Sequence, residues 1–344
     1  MKLSVLPSAP PVSPVPTAGR LIDTFGRVHN NLRISVTDRC NFRCVYCMPE
    51  EVTFMPRSEL LTFEEIVRFV RVAAPLGIDK LRLTGGEPLL RRDLPRLVRM
   101  LTAVPGIVDV GLTTNGLLLA EQAPELAAAG LHRVNVSLDT LDPERFRRIA
   151  RRDGLDRVLA GIDAAMAAGL TGVKVNVVII RGMNEQDVVP LARLGRERGW
   201  EMRFIEYMPI GAEAWERDKV YFAHEILDAI ERGVGPLVPA EGYDPRSPAM
   251  EFRYADGDGR VGLIASVSRP FCRSCNRLRL TADGKLRNCL FALDEVGVKE
   301  ILRHGEPAQL SEVIRRSVWA KWEGHEINTA RFVKPDRTMH AIGG

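Results

Sequence analysis

Cys40, Cys44 and Cys47 fall within eight residues in the spacing C-x3-C-x2-C, with Tyr46 directly before the third thiol. Three thiolates on one short loop can hold three irons of a 4Fe–4S cubane and leave the fourth iron without a protein ligand. An open metal position is a place for chemistry, as it is in catalytic zinc sites. The competing readings are a zinc knuckle, or a disulfide with a spare cysteine. Zinc usually takes four ligands in C-x2-C pairs, and no histidine lies near enough in sequence to complete such a set. The iron–sulfur reading is the stronger one.

The other three cysteines, Cys272, Cys275 and Cys289, form a second triad, so none of the six is left over. Two triads suggest two clusters, each with an open iron. For the second, a zinc ribbon short of one ligand is the alternative, because C-x2-C is a common zinc half-site. Between Arg269 and Cys289, six basic residues (Arg269, Arg273, Arg277, Arg279, Lys285, Arg287) stand against one acid, Asp283. Arg277 and Arg279 are two apart and would share one face of a strand. Two guanidiniums on one face suit bidentate phosphate binding, whereas a solvated basic edge that resists aggregation is the bland alternative.

Three more cations sit among apolar neighbours: Arg33 between Leu32 and Ile34, Arg82 between Leu81 and Leu83, and Lys174 between Val173 and Val175. Turned inward, such a charge is costly unless an anion meets it. Turned outward, it would face covering helices, a worse place for charge. The pattern favours a lumen that receives an anion. Gly85-Gly86-Glu87-Pro88 closes the second strand. Its glycines would let backbone approach a ligand, and Glu87 could accept hydrogen bonds from an ammonium, although an ordinary tight turn would look the same.

The elements that must position these groups follow from periodicity. Strands are expected at Leu32–Thr37, Lys80–Thr84, Val108–Thr113, Arg133–Ser137, Val173–Ile180 and Glu201–Tyr207. Helices are expected over about 63–76, 93–102, 123–129, from 142–143 onward, and over 155–168 and 185–198. Thr62 and Glu65 form a capping box for the first helix, with Gly77 as its stop. Six strands alternating with helices imply a parallel sheet. The unusual residues recur where strands end, and in parallel barrels the carboxyl ends form the active face. Six units are fewer than the eight of a closed barrel, so a cover is needed. After a helix at about 221–232 come short strands near 251–254 and 261–266. A hairpin follows, Arg277–Thr281 and Lys285–Cys289 around Ala282-Asp283-Gly284, with helices near 293–302 and 308–319.

The chain has 344 residues, 45% hydrophobic and 27% charged, enough for one large α/β domain and a smaller one. A net charge of +4 does not by itself imply nucleic acid. No apolar run approaches the roughly 18 residues a membrane span needs. The Pro-rich start has no signal-peptide core and reads as a disordered leader. A cytoplasmic protein is expected, where six cysteines argue for metal ligation over disulfides.

Several stretches together carry a resemblance: Asn31–Cys44 (NLRISVTDRCNFRC), Arg82–Arg91 (RLTGGEPLLR), Lys174-Val175-Asn176, Phe271–Lys285 (FCRSCNRLRLTADGK) and the terminal Gly343-Gly344. This set resembles the radical S-adenosylmethionine enzymes, and among them the GTP 3′,8-cyclase branch that begins molybdenum-cofactor biosynthesis. The match runs through nearly the whole chain after the leader. It implies an α/β fold: an incomplete (β/α)6 TIM-like barrel with a C-terminal α+β cap domain carrying a second iron–sulfur cluster. The expected division is a leader (1–20), a partial barrel (21–235) and a cluster-binding domain with a Gly-Gly tail (236–344).

The resemblance also implies roles. Cys40, Cys44 and Cys47 would hold one 4Fe–4S cluster, and Cys272, Cys275 and Cys289 the other. Tyr46, Gly86, Ser137 and Met208 fall on positions that contact S-adenosylmethionine, with core filling the alternative reading of Met208. Arg33, Arg82, Thr113, Lys174, Arg277, Leu278 and Arg279 fall on positions that contact GTP. Arg277, Arg279, Gly343 and Gly344 carry the catalytic assignment, with the tail entering the active site. The implied reaction cleaves S-adenosylmethionine to a 5′-deoxyadenosyl radical, takes hydrogen from C3′ of GTP and joins C3′ to C8; one-electron reduction and protonation of the resulting radical then give 3′,8-cyclo-7,8-dihydro-GTP. Implied partners are a reductant and a downstream cyclic pyranopterin monophosphate synthase, with neither nucleic acid nor membrane. A homodimer is left open. Two other readings stand beside this one. A related radical enzyme could act on a peptide or another small molecule, though such enzymes usually carry more C-terminal cysteines. A non-catalytic metal or nucleic-acid module could be built on the second triad.

Overall fold

Leu32 and Ile34 are fully buried under helices, whereas Arg33 between them opens into the interior of the molecule. The same alternation repeats on neighbouring strands and defines a barrel with apolar residues outside and polar residues in its lumen. The computed structural model describes residues 14–344 apart from 171, 212, 213, 243 and 245. Most of the expected leader lies outside the described residues. Its last part, 14–20, is irregular and is tied down by Arg315, which donates to the carbonyls of Ala18 and Gly19.

The barrel strands are β1 (Asn31–Ser35), β2 (Lys80–Thr84), β3 (Asp109–Thr114), β4 (Arg133–Ser137), β5 (Lys174–Ile179) and β6 (Glu201–Glu206). Between them run α1 (Phe63–Ala73), α2 (Leu94–Thr102), α3 (Leu119–Ala128), α4 (Pro143–Ala150), α5 (Leu155–Ala167) and α6 (Val188–Arg198), and α7 (Ala223–Gly233) follows β6. The Thr62–Glu65 capping box is formed in both directions, at 3.2 and 2.8 Å. Helix α1 ends earlier than expected, because its last turn tightens into a 3-10 turn at Ala74–Leu76 before Gly77. Helix α3 starts a turn before the expected 123, drawn in by the fully buried Leu119.

The C-terminal strands are β7 (Leu237–Pro239), β8 (Met250–Tyr254), β9 (Arg260–Ile264), β10 (Arg277–Leu280), β11 (Lys285–Arg287) and β12 (Val296–Gly297), followed by α8 (Lys299–His304), α9 (Pro307–Trp319) and α10 (Met339–Ile342). The short β7, β12 and α10 have too few residues to show a period and were not legible in the sequence. The helix expected over 293–302 is confined to α8, because Val296 and Gly297 pair with β11 as an edge strand.

Among the described residues the strands form one sheet in the order β12-β11-β10-β1-β2-β3-β4-β5-β6-β9-β8-β7. Strand β10 is parallel to β1, and β9 is parallel to β6. The C-terminal region thus extends the parallel barrel sheet at both edges as well as bringing the second cysteine triad to it. Register places Arg279, Arg33 and Arg82 side by side on adjacent strands, followed by Gly111 and Arg133.

Candidate active site

All six cysteines line a single cavity of about 500 Å³. The first triad lies beyond the carboxyl end of β1. The second begins just before β10, whose Arg277 is level with Asn31 at the start of β1. The two triads therefore occupy opposite ends of the lumen, with roughly 13 Å of strand rise between the Asn31 and Ser35 levels. Between them lies the row of cations.

The first cysteine loop is held by its backbone. The N–H groups of Arg43 and Val45 donate to the carbonyls of Ala150 and Ile149 at the end of α4, at 2.9 and 3.0 Å. Asn115, at the end of β3, reaches Asn41 Oδ1 at 2.7 Å and the Cys40 sulfur at 3.7 Å. Phe42 is buried edge-on against Phe146. Burial pushes the thiol of Cys40 up to about 11 and that of Cys47 up to about 12, and raises Cys44 well above its ordinary value. The neighbouring thiols add to the shift at Cys44 and Cys47. The triad is thus a desolvated group of soft sulfur donors lining one cavity, a donor set whose chemistry fits an iron–sulfur cluster.

Gly86 donates to the Thr37 carbonyl and Glu87 to the Arg39 carbonyl, both at 2.7 Å. A side chain at Gly86 would collide with the Asp38 and Arg39 carbonyls, so the glycine is required where two strand-end loops touch. Glu87 corrects an expectation. Its carboxylate does not face the cavity. It accepts from Leu89 N–H at 2.9 Å, Thr114 Oγ1 at 2.7 Å and Asn115 N–H at 2.7 Å, and so clamps the end of β2 to the end of β3. Burial pushes it up to about 7 despite those donors. Tyr46, Gly86, Ser137 and Met208 all line the cavity near the first triad. The Tyr46 hydroxyl donates to Asp139 at 2.7 Å, and the other oxygen of Asp139 accepts from Val178 N–H. Burial lifts Asp139 to about 6.

Arg33, Arg82, Thr113, Lys174, Arg277 and Arg279 also line the cavity. Their pairing differs. Lys174 binds Glu201 at 2.5 Å, and Glu201 also binds Arg203 at 2.6 Å. Arg82 donates to Asn135 Oδ1 at 2.7 Å. The Arg33 side chain makes no ion pair or hydrogen bond among the described residues. Burial, with Arg277 beside it, pulls Arg33 down to about 10, and burial holds Arg279 and Arg82 well below the usual guanidinium range. Arg277 lies 4.3 Å over the Phe271 ring with its Nη2 buried and unpartnered. The unmet demand for an anion is therefore concentrated where β1 meets β10.

Leu278 is the exception among the expected contacts. It is fully buried in the apolar core beside Leu32, so its side chain points away from the lumen and only backbone remains to offer. The tail does enter the site. Gly344 lines the cavity, and the Gly343 carbonyl accepts from Arg279 Nη1. Sequence reading missed Arg203, Arg133, Lys80 and Arg246, which also line the cavity. Arg203 sits between buried Met202 and Phe204 and carried the same alternation signal as Arg33. Arg246 lies in a loop without period.

At the second triad, Cys272 is raised by burial, while Cys275 is held well below its ordinary value because Arg277 and Lys321 outweigh the burial that would raise it. Arg277 and Lys321 thus give this triad a cationic surrounding that suits thiolate ligands of a metal centre.

Comparison with known proteins agrees with this geometry. Residues 34–195 match the family described as the Radical SAM superfamily, and residues 200–327 match Molybdenum Cofactor Synthesis C. A GTP 3′,8-cyclase of Rhodopirellula baltica is 48% identical over 330 residues, covering 94% of this chain and 92% of that one. One from Acidothermus cellulolyticus is 51% identical over 311 residues, covering 87% and 85%. Among solved structures, Streptococcus suis SuiB is similar with a TM-score of 0.59 at 15% identity, covering 90% of this chain and 76% of that one. Native anSMEcpe with bound AdoMet is similar with a TM-score of 0.52 at 15% identity, covering 81% of each. These two likenesses speak to the fold alone. The chain belongs to the radical SAM superfamily and, within it, to the GTP 3′,8-cyclase family.

Proposed function

We propose that this chain is a GTP 3′,8-cyclase that binds S-adenosylmethionine at one end of its lumen and GTP across the other. The observation that supports this most is the placement of two cysteine triads at opposite ends of one cavity with an arginine row between them. Cys40, Cys44 and Cys47 hold a 4Fe–4S cluster with one open iron. When bound, that cluster supplies the electron that cleaves S-adenosylmethionine to a 5′-deoxyadenosyl radical. Tyr46, Gly86, Ser137 and Met208 line the space for the nucleoside and methionine parts of the cofactor. Asp139 orients the Tyr46 ring through its 2.7 Å hydrogen bond.

Arg33, Arg277 and Arg279 bind the triphosphate, which answers the charge they leave unmet, and Arg82, Thr113 and Lys174 extend that surface. Cys272, Cys275 and Cys289 hold a second 4Fe–4S cluster beside the substrate. The chain's contribution is to fix C3′ and C8 of GTP near each other and to exclude water from a reactive primary carbon radical. Arg279 holds the Gly343 carbonyl, so the Gly343-Gly344 tail closes the site with bare backbone. The product is 3′,8-cyclo-7,8-dihydro-GTP, the first intermediate of molybdenum-cofactor biosynthesis. Among the described residues no helix is long and apolar enough to cross a membrane. A cytoplasmic location, an external reductant and transfer of product to cyclic pyranopterin monophosphate synthase complete the reading.

Anaerobic reconstitution tests it. Wild-type protein should hold about eight irons per chain, and a Cys272→Ser/Cys275→Ser/Cys289→Ser variant about four. With reductant and S-adenosylmethionine, 5′-deoxyadenosine should form only when GTP is present, and deuterium at C3′ should move into it. Cofactor cleavage that ignores GTP would refute the assignment.

A further inference from the structure

Lys321 is 4% exposed, in the turn that follows α9, far in sequence from every motif considered above. A buried ammonium needs strong partners. Its Nζ donates to the Cys275 sulfur at 3.3 Å and to the Arg277 carbonyl at 2.8 Å. No carboxylate forms an ion pair with it among the described residues. The side chain it is placed against is that of Cys275, through its sulfur.

The surrounding segment is built to hold it there. Arg27, itself fixed by Asp23 at 2.6 Å, donates to the carbonyls of Cys272 and Glu323 at 2.7 Å and of Trp322 at 2.6 Å. One guanidinium thus locks the 322–323 backbone to the first cysteine of the second triad. Gly324 lies against Cys272: a Cβ there would fall 3.2 Å from the Cys272 Cβ. The N-terminal Asp23–Arg27 turn and the 321–324 segment thus meet Cys272 and Cys275 from two distant parts of the chain.

We propose that Lys321 is a positioning residue for the second 4Fe–4S cluster, neutralising the Cys275 thiolate and coupling that ligand to the Arg277 arm of the substrate site. The inference rests on the two-cluster reading above. A cubane held by three thiolates carries net negative charge, and hydrogen bonds and cations at its sulfurs raise its reduction potential. Lys321 supplies both from inside the protein. Because the same ammonium holds the Arg277 carbonyl, it also fixes the start of β10, on which Arg277 and Arg279 are carried.

The test uses the reconstituted holoenzyme and the variants Lys321→Met and Lys321→Arg. Iron is counted, and both clusters are titrated by electron paramagnetic resonance. The signal that changes on adding S-adenosylmethionine identifies the first cluster and serves as the internal control. In Lys321→Met the second signal should move to lower potential, or its roughly four irons should be lost, while the first signal stays in place. Lys321→Arg should restore most of the wild-type behaviour. A Lys321→Met enzyme with full iron and both potentials unchanged would overturn the proposal. So would equal loss of iron in Lys321→Arg, because that assigns the lysine a packing role. Wild-type protein holding only about four irons would instead refute the two-cluster reading, and the outcomes are thereby separable.

Discussion

Gly343→Ala isolates the contribution of the tail to turnover. Gly343 has φ 87° and ψ 94°, a backbone region that residues with a Cβ avoid. A Cβ there would sit 2.8 Å from Thr84 Oγ1 and 2.9 Å from Ser35 Cβ. Both neighbours belong to buried strand ends and cannot give way as a flexible side chain would. The positive φ costs about 1–2 kcal/mol, and the overlap about 1–3 kcal/mol. Together these match what docks the tail: the charged Arg279–Gly343 hydrogen bond, at about 1.5–3 kcal/mol, and the buried Ile342, at about 1.5–3 kcal/mol. The tail should therefore leave the cavity before the barrel distorts. Losing even about 2 kcal/mol of transition-state positioning lowers turnover by roughly 30-fold. The assay is GTP-dependent 5′-deoxyadenosine formation, run beside iron content and thermal unfolding. Iron content and unfolding temperature should stay near wild type while turnover falls. Wild-type turnover in Gly343→Ala would refute the reasoning.

Other expectations concern the lumen and its frame. Arg33→Ala should weaken GTP binding by about 10- to 150-fold, the equivalent of one charged hydrogen-bonding group at about 1.5–3 kcal/mol; calorimetric titration with GTP measures it, and unchanged affinity would show that Arg33 meets no phosphate. Gly111→Ala would place a Cβ 3.0 Å from Arg82 Cζ and should loosen the bond of that guanidinium to Asn135. GTP affinity should fall by about 10-fold with little change in unfolding temperature, and an unaltered Kd would remove Arg82 from the binding surface. Glu87 is lifted from 4.5 to about 7 by burial, so the folded state takes up a proton there that the unfolded state has released. Its contribution to stability is full below about pH 4.5 and is lost as pH rises through about 7, at no more than ~1.4 kcal/mol per pH unit. Denaturant midpoints should fall between pH 5 and 8 in wild type and fall less in Glu87→Gln; equal slopes would show that the carboxylate stays ionised throughout.

The barrel was legible because its strands carry a two-residue period and its helices a longer one. Lys80–Thr84 and Arg133–Ser137 were bounded to the residue, and the Thr62–Glu65 cap formed as its spacing implied. Arg33, Arg82 and Lys174 were placed in the lumen by the same alternation that buried their neighbours. Glu87 was misread, since a strand-end carboxylate looks alike whether it meets a ligand or the next strand. Three donors folded around it decide the matter. Leu278 was expected at a substrate-contacting position, and its side chain lies in the core, because a residue between two lumen-facing ones on a strand must point the other way.

Cysteine spacing, without any fold, grouped the six thiols into Cys40, Cys44 and Cys47 and, far along the chain, Cys272, Cys275 and Cys289, because proximity along the chain is a local property. Which groups those sites face is not local. The pairing of β10 with β1 brings Arg277 and Arg279 beside Arg33 across about 245 residues of chain and sets both triads on one cavity. The same closure turns Lys321, in a sequence without motif, toward a cysteine sulfur. It also leaves Arg33 without an ion pair among the described residues while Lys174 finds Glu201. Charge pairing in a lumen depends on which strands become neighbours, and that is set by long-range packing.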